Sequence, residues 1–595
     1  MKLSSIAAQY GLRRRLSGQT PRPFSFVFVG VLVGLLGACG QIGPRAPLVP
    51  TGEVFQEELP VEGDNFLGLR LFWPGKGLRP LLASLEWEAP SGRRGKVEHR
   101  LQVPGAIAGR FTVPYSLQEA GMHRAVLRLY DLEQGNQVHV DEDLLFFARP
   151  YWELSADRSY YTKEERIAFR LRRHAHDDTP LRALVELRRG DEVLDQAIVN
   201  LFGREGRGEF AANVLAEGHY TITARIAEDV GAEPLEVECV KIAPADREIK
   251  IDLFNQVLLV DGAPFFPVGL YWLRVETLGP MRRLHFNSGD YFYKLRGEEV
   301  AELMDAAAEQ GMQILLELSE FARQQPEPDF QAIKTTVERY RHHSALLAWY
   351  LVDEPNETSM KPEAARAIYQ LIRELDPYHP VYLVNNRPHT YTAYSEASDV
   401  LAVDVYPIPR YPITRVRDYV RQAQWASLGR KPVWLVAQAF GGVEHWPRAP
   451  TAVELRNMVY QGLVQGVGGV FFYRHCQEDE RHIQPVDLWR EVQTLARELA
   501  QLAPVLVQPS YDAEPRQVGR GIEAIVKAYE DTIYVFAVNI DNQPRRFEMR
   551  MAGLPPVNQA EIVYGLADPV LGSGRLLAEL EPLGMAVYRL QVAGI

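Results

Sequence analysis

Trp349-Tyr350-Leu351-Val352-Asp353-Glu354-Pro355-Asn356-Glu357 is the stretch that decides the fold. An apolar strand runs directly into two adjacent carboxylates and is stopped by a proline, which has no backbone N–H to extend a ladder. A strand covered on both faces reads as a continuous hydrophobic run. In a barrel of parallel strands, the residues at its carboxyl end emerge where substrates are held. Glu354 is therefore expected to donate a proton, with Asp353 beside it. Neighbouring like charges raise one carboxyl pKa, which suits an acid that must stay protonated near neutral pH. The alternative reading makes the two acids caps on the following helix, held by the positive end of its dipole.

Working outward, residues 247–502 alternate strand and helix. Strand candidates lie at 266–272, 286–290, 313–318, 347–354, 380–385, 400–406, 433–438 and 469–473, with amphipathic helices over 297–310, 331–340, 361–375 and 450–466. Eight such repeats over roughly 250 residues predict a closed (β/α)₈ barrel, the TIM barrel. An open doubly wound sheet would carry a glycine-rich phosphate loop after its first strand, and Tyr271-Trp272-Leu273-Arg274 is not one.

The runs DGAPFFPVGLYW (261–272), WYLVDEPNE (349–357), KPVWLVAQAFGG (431–442) and QGVGGVFFY (465–473) resemble the catalytic barrels of the large glycoside hydrolase clan that includes β-galactosidases and cellulases. The resemblance covers residues 250–500, less than half of the chain. It implies cleavage of O-glycosidic bonds in a carbohydrate substrate, with Glu354 as acid/base. Asp353 stands where the clan has an Asn that binds the sugar hydroxyl next to the cleaved bond. The chain departs from the clan at the end of strand seven, where Gln438 occupies the position of the nucleophilic Glu. An amide cannot attack an anomeric carbon.

Glycoside cleavage ordinarily needs two carboxylates, roughly 5 Å apart for retention and roughly 6.5–9.5 Å apart for inversion. Asp404 and Glu317, near the ends of strands six and three, and Glu444, after strand seven, are the candidates for the second. A substrate-assisted hexosaminidase scheme would use Asp353 and Glu354 alone, the acetamido oxygen being the nucleophile. A non-catalytic glycan-binding or envelope-assembly protein with a degenerate site is the third possibility.

Substrate contacts are expected from the same face. Trp272, Tyr291, Tyr406, Tyr473 and Trp446 offer flat apolar platforms for sugar rings. Asn385, Asn386, Arg387, Arg474 and His475 offer hydrogen bonds, as do Glu317, Asp404 and Gln438. Arg387 and Arg474 together would favour an acidic sugar, although pairing with a neighbouring carboxylate is the commoner fate of such arginines. His342-His343 precedes strand four, on the face away from the site.

The flanks are of different texture. Arg13, Arg14 and Arg15 precede an apolar run over 24–38 that ends in Leu36-Gly37-Ala38-Cys39. The order of charge, apolar run and box resembles the signal of bacterial lipoproteins, which implies removal of residues 1–38, acylation of Cys39 and a place in the cell envelope. A signal-anchor helix is the alternative, and both export the rest. Residues 39–52, with three prolines, read as a tether. Residues 53–150 and 151–246 alternate apolar and polar with turn signals between runs, as in Arg124-Ala125-Val126-Leu127-Arg128-Leu129-Tyr130, and predict two β-sandwich modules, the second immunoglobulin-like. Residues 503–595 return to period two and predict a C-terminal β-sandwich.

Composition closes off other classes. A net charge of −12 without a basic stripe gives nucleic acid no footprint, and 46% hydrophobic residues exclude disorder. Three cysteines without Cys-x-x-Cys spacing supply neither a disulfide framework nor a metal site. No cofactor motif is present, and nothing sets an oligomeric state.

Overall fold

The computed structural model describes residues 51–592, apart from 56–59, 74–76, 106–107, 175–178, 228–232, 292–294, 325–326, 359, 443–444, 474–484, 511–520 and 552–553. Cys39 and the whole export segment lie outside the described residues.

Eight parallel strands close into a barrel: Val268–Leu273, Ser288–Tyr291, Gln313–Glu317, Leu346–Asp353, Val381–Asn385, Val400–Val405, Val433–Gln438 and Val470–Tyr473, numbered 1 to 8 below. Strand 8 pairs back to strand 1, Gly269 facing Phe471 in register. Closure needs Gly269, because a Cβ there would stand 2.2 Å from the Phe471 ring that fills the interior. Strand 6 shows why these segments read as unbroken apolar runs. Leu401, Val403 and Val405 belong to the layer under the helices, whereas Val400 and Ala402 belong to the barrel interior. Both faces are covered, so alternation leaves no polar face until a strand reaches its carboxyl end.

The amino-terminal end of the barrel is sealed. The short strands Ile249–Asp252 and Val257–Val260 form a hairpin whose Ile249, Ile251 and Leu258 join the interior side chains Leu347, Val400 and Trp434 in one apolar cluster. A floor of this kind leaves the carboxyl end as the accessible mouth.

The flanking regions are antiparallel throughout. Two sheets built from strands between Thr51 and Ala148 enclose one apolar core, and two more between Trp152 and Lys241 enclose another. Strand Gly121–Asp131 alternates buried Ala125, Leu127 and Leu129 with residues open to solvent, the pattern of a half-covered sheet. Lys250 ties the second of these regions to the barrel floor. Its ammonium is 2.6 Å from the Thr162 hydroxyl and 2.9 Å from Glu248, and it also contacts Glu164.

Two C-terminal sheets pack on helix Ala452–Val464. That helix is buried on every side from Leu455 onward, with Phe536, Val538 and Val587 in the same cluster as its Met458. The Asn457 amide donates to Asn539 O (2.8 Å) and Leu583 O (2.9 Å), fixing the contact polar group by polar group.

Candidate active site

Strand 4 brings Asp353 and Glu354 to the mouth by an irregular route. Its register with strand 5 shifts between Tyr350 and Val352, and the chain then turns sharply at Glu354, where φ is +43°. A left-handed conformation costs a non-glycine residue about 1–2 kcal/mol. Two hydrogen bonds hold it: the Glu354 N–H donates to Val384 O (3.1 Å), and its carbonyl accepts from the Glu357 N–H (3.0 Å). Pro355 then opens the single turn Pro355–Thr358. Trp272, at the end of strand 1, has φ of +67°. Backbone strain of this kind concentrates where side-chain direction matters more than local stability.

Five carboxyl groups gather around these residues: Asp290 from strand 2, Glu317 from strand 3, Asp353 and Glu354, and Asp404 from strand 6. The Asp404 carboxyl lies near enough to Glu354 to feel its charge. Burial pushes Asp404 well above the usual carboxylate range, and the Glu354 charge pushes it further. Asp290 is pushed well up by burial and then by Glu317, and Glu317 is raised by burial against the lowering effects of Ser319 and Arg323. Asp353 is pushed up to about 7, first by its enclosure in the mouth, then by Glu354 and Glu317. Two-fifths of the Asp353 side chain still meets solvent, so the mouth is open to small molecules.

Asp353 is held on three sides. Tyr350 Oη donates to its Oδ1 (2.7 Å), the Ser319 hydroxyl accepts from its N–H (3.0 Å), and Arg323 donates to its carbonyl while lying 3.5 Å from its Oδ2. Behind it, Tyr271 Oη stands 3.5 Å from Tyr350 Oη and 3.1 Å from Tyr382 Oη, a fully buried chain of phenols in the barrel interior.

An aromatic wall faces the carboxyls. Tyr406 and Tyr473 stack at 5.6 Å and 21°, the Trp272 and Tyr473 rings lie 5.7 Å apart, and Trp446 Nε1 donates to Tyr406 O (3.1 Å). Trp272, Tyr406, Tyr473 and Trp446 are all half-buried. Tyr291, also half-buried, donates its hydroxyl to Glu317 O (3.0 Å).

Other expected contacts are placed differently. Gln438 is fully buried, and its amide is consumed by backbone: Nε2 donates to Ile408 O (2.8 Å) and Phe440 O (3.3 Å), and Oε1 accepts from Ile408 N–H (2.9 Å). It braces the loop after strand 6 and has nothing left for a ligand. Asn385 is likewise buried and bonded to Asn356 and Thr390, whereas Asn386 is half-buried with an unpartnered Oδ1. Arg387 is paired with Glu357 at 2.6 Å on the exposed rim, which removes it as a free anion ligand. His343 meets Asp305 on the outer helical layer, far along the chain from the mouth. Arg474, His475 and Glu444 lie outside the described residues.

Asp290, Arg323 and the three phenols belong to the site although sequence reasoning did not single them out. Asp290 follows Asn287-Ser288-Gly289, which lacks the apolar run that precedes Asp404. Arg323 follows a helix of four residues and carries no pattern.

No protein-family model matches the chain. No curated relative matches it either. Solved structures with a similar architecture include a candidate glycoside hydrolase from Bacteroides vulgatus, 13% identical with a TM-score of 0.42, the match covering 72% of this chain and 99% of that one. A GH2 β-galacturonidase from Eisenbergiella tayi is 16% identical with a TM-score of 0.34, over 76% of this chain and 97% of that one. A GH30 endoxylanase from Clostridium papyrosolvens is 10% identical with a TM-score of 0.40, over 55% of this chain and 96% of that one.

The bracing role of Gln438 has a measurable consequence. Gln438→Glu sets a carboxylate against two carbonyl oxygens and removes both donors, so it is expected to lower stability by about 2–3 kcal/mol and to bring no gain in glycoside cleavage. A denaturant midpoint equal to that of the native chain, or a rise in sugar release, would show that the side chain is free to act in the mouth.

Proposed function

We propose that the barrel hydrolyses O-glycosidic bonds of an oligo- or polysaccharide, with Glu354 as general acid/base and Asp404 as the second carboxyl group. The observation that carries this reading is the nearness of Glu354 to the buried Asp404 carboxyl in a mouth walled by half-buried aromatic rings. A sugar entering the mouth parts the two groups, and Glu354, the more exposed member, meets the leaving oxygen. Positive charge then develops on the sugar ring in the oxocarbenium-like transition state and favours an ionised Asp404. Protonated Glu354 gives its proton to the leaving oxygen as the glycosidic C–O bond breaks and the Asp404 carboxylate bonds to the anomeric carbon; water, losing a proton to Glu354, then displaces Asp404 and frees the sugar. The interaction is strongest where charge is developing, which is how a site lowers a barrier rather than merely binding substrate.

Two carboxyls this near each other suit the roughly 5 Å separation of retaining enzymes better than the roughly 6.5–9.5 Å of inverting ones. Retention of anomeric configuration is therefore expected, and is read by NMR of the first-formed product. Glu354→Gln and Asp404→Asn should each lower sugar release from a polysaccharide panel by about 10²–10⁴-fold without unfolding the chain. Release unchanged in either variant overturns its assigned role. Binding of the same glycans with no release from the native chain would instead favour a non-catalytic binding protein.

Asp353 supplies a pH signature. Protonated, it offers an O–H where the clan's Asn offers an N–H, and ionised it can only accept. Its carboxyl is pushed up to about 7, so activity should fall as pH rises through that region. Asp353→Asn should retain cleavage and move this limb to higher pH. A basic limb unmoved in the Asn variant removes Asp353 from the substrate contact.

The order of charge, apolar run and Cys39 box supports export and lipid attachment in the cell envelope. Metabolic labelling with palmitate should mark the native chain and not Cys39→Ser; equal labelling of both rules out Cys39 as the acylated residue.

A further inference from the structure

We propose that the Asp290 and Glu317 side of the mouth binds a protonated amine, so that the sugar taken by this site is an amino sugar with a free ammonium group. The inference rests on the hydrolytic reading only for the word substrate; the binding claim stands by itself.

Charge and hydrogen bonding point the same way. Asp290 is 1% exposed and Asp404 5%, and each has a buried Oδ1 with no hydrogen-bond partner. Buried polar atoms are almost always satisfied, and leaving a carboxyl oxygen bare is costly. Both side chains face the cluster, since the charge on Asp290 is felt from Glu317 and Asp353, and that on Asp404 from Glu354 and Asp353. Among the described residues, nearby cations are already committed. Arg323 is bound to Asp353, Arg296 is paired with Glu320 at 2.7 Å, and Arg387 with Glu357.

A uronate carboxylate brings no donor to the bare Asp290 oxygen. A metal ion is a poor fit, because among the described residues no three Asp, Glu, His or Cys side chains converge to hold one. An ammonium group brings three donors, no acceptor and one positive charge, which matches unpartnered carboxyl oxygens in number and sign. Aromatic faces on the opposite wall would take the apolar face of the same ring. Burial holds the Asp290 and Glu317 carboxyls above the usual carboxylate range, and an ammonium beside them favours their ionised forms.

Isothermal titration of the full chain with glucosamine and galactosamine, against N-acetylglucosamine, glucose, galactose and galacturonate, tests this. The amino sugars should bind at least about tenfold more tightly than glucose or galactose and lose that advantage as salt rises. Asp290→Asn and Glu317→Gln should each abolish the preference. The preference and its salt dependence are read on the native chain, so they decide the matter even where a substitution impairs folding. Equal affinity for glucose and glucosamine, or tightest binding of galacturonate, overturns the inference. Amine preference without cleavage of any glycan would leave the inference standing and overturn the hydrolase; cleavage of neutral glycans without amine preference would do the reverse.

Discussion

Side-chain alternation in a closed parallel barrel is the constraint on which the rest depends. Every second residue of a strand points into the interior, and the last of these emerges at one common ring. In strands 3 and 6 that residue is an acid, Glu317 or Asp404, following an inward Leu315 or Ala402. Nothing in either strand alone makes a site. Closure brings the ends together, and acids that are ordinary in the unfolded chain become neighbours with little solvent between them, which disfavours their ionised forms. The raised pKa values of Asp290, Glu317, Asp353 and Asp404 are the electrostatic form of barrel closure.

Crowding of this kind lowers stability, and the surrounding structure offsets it locally. Below the mouth the interior is dense and dry, with Tyr350, Tyr382, Trp434 and Phe471 fully buried. The phenol chain gives Asp353 a donor that needs no water. The strained turn at Glu354 is spanned by backbone hydrogen bonds to strand 5 and to the following turn. At the other end, the hairpin floor and the C-terminal sheets cover apolar surface that the barrel would otherwise expose. Rigid packing on all sides allows a strained, charge-dense rim to persist.

Much of this was legible in the chain. The eight barrel strands and the alternating flanks follow from hydrophobic period, and each strand candidate overlaps a strand of the structure, because tertiary packing agrees with local pattern there. The Asp353-Glu354 pair was legible because a charge pair ending an apolar run has few bland explanations. Which acid meets Glu354 was not. Periodicity tells which face a residue takes, but not the distance between residues on strands 4 and 6, which depends on tilt and stagger of the closed sheet. Glu317, Asp404 and Glu444 were therefore equal in the sequence; of the two that lie among the described residues, Asp404 is the one whose carboxyl feels the Glu354 charge. Asp290 escaped notice because strand 2 is four residues long and its acid reads as a turn residue.

Gln438 shows how a polar side chain at a strand end can serve a loop instead of the mouth. Here the side chain is turned onto the backbone of Ile408 and Phe440 and shapes the loop that presents Tyr406 to the aromatic wall. A carboxylate cannot take that place, since it has no donors for the two carbonyls. Asp404 lies one strand away, paired in register with Val436 two residues before Gln438. The amide and the buried aspartate are thus linked: the brace holds the loop that leaves strand 6, and strand 6 sets the carboxyl nearest along that loop to the aromatic wall.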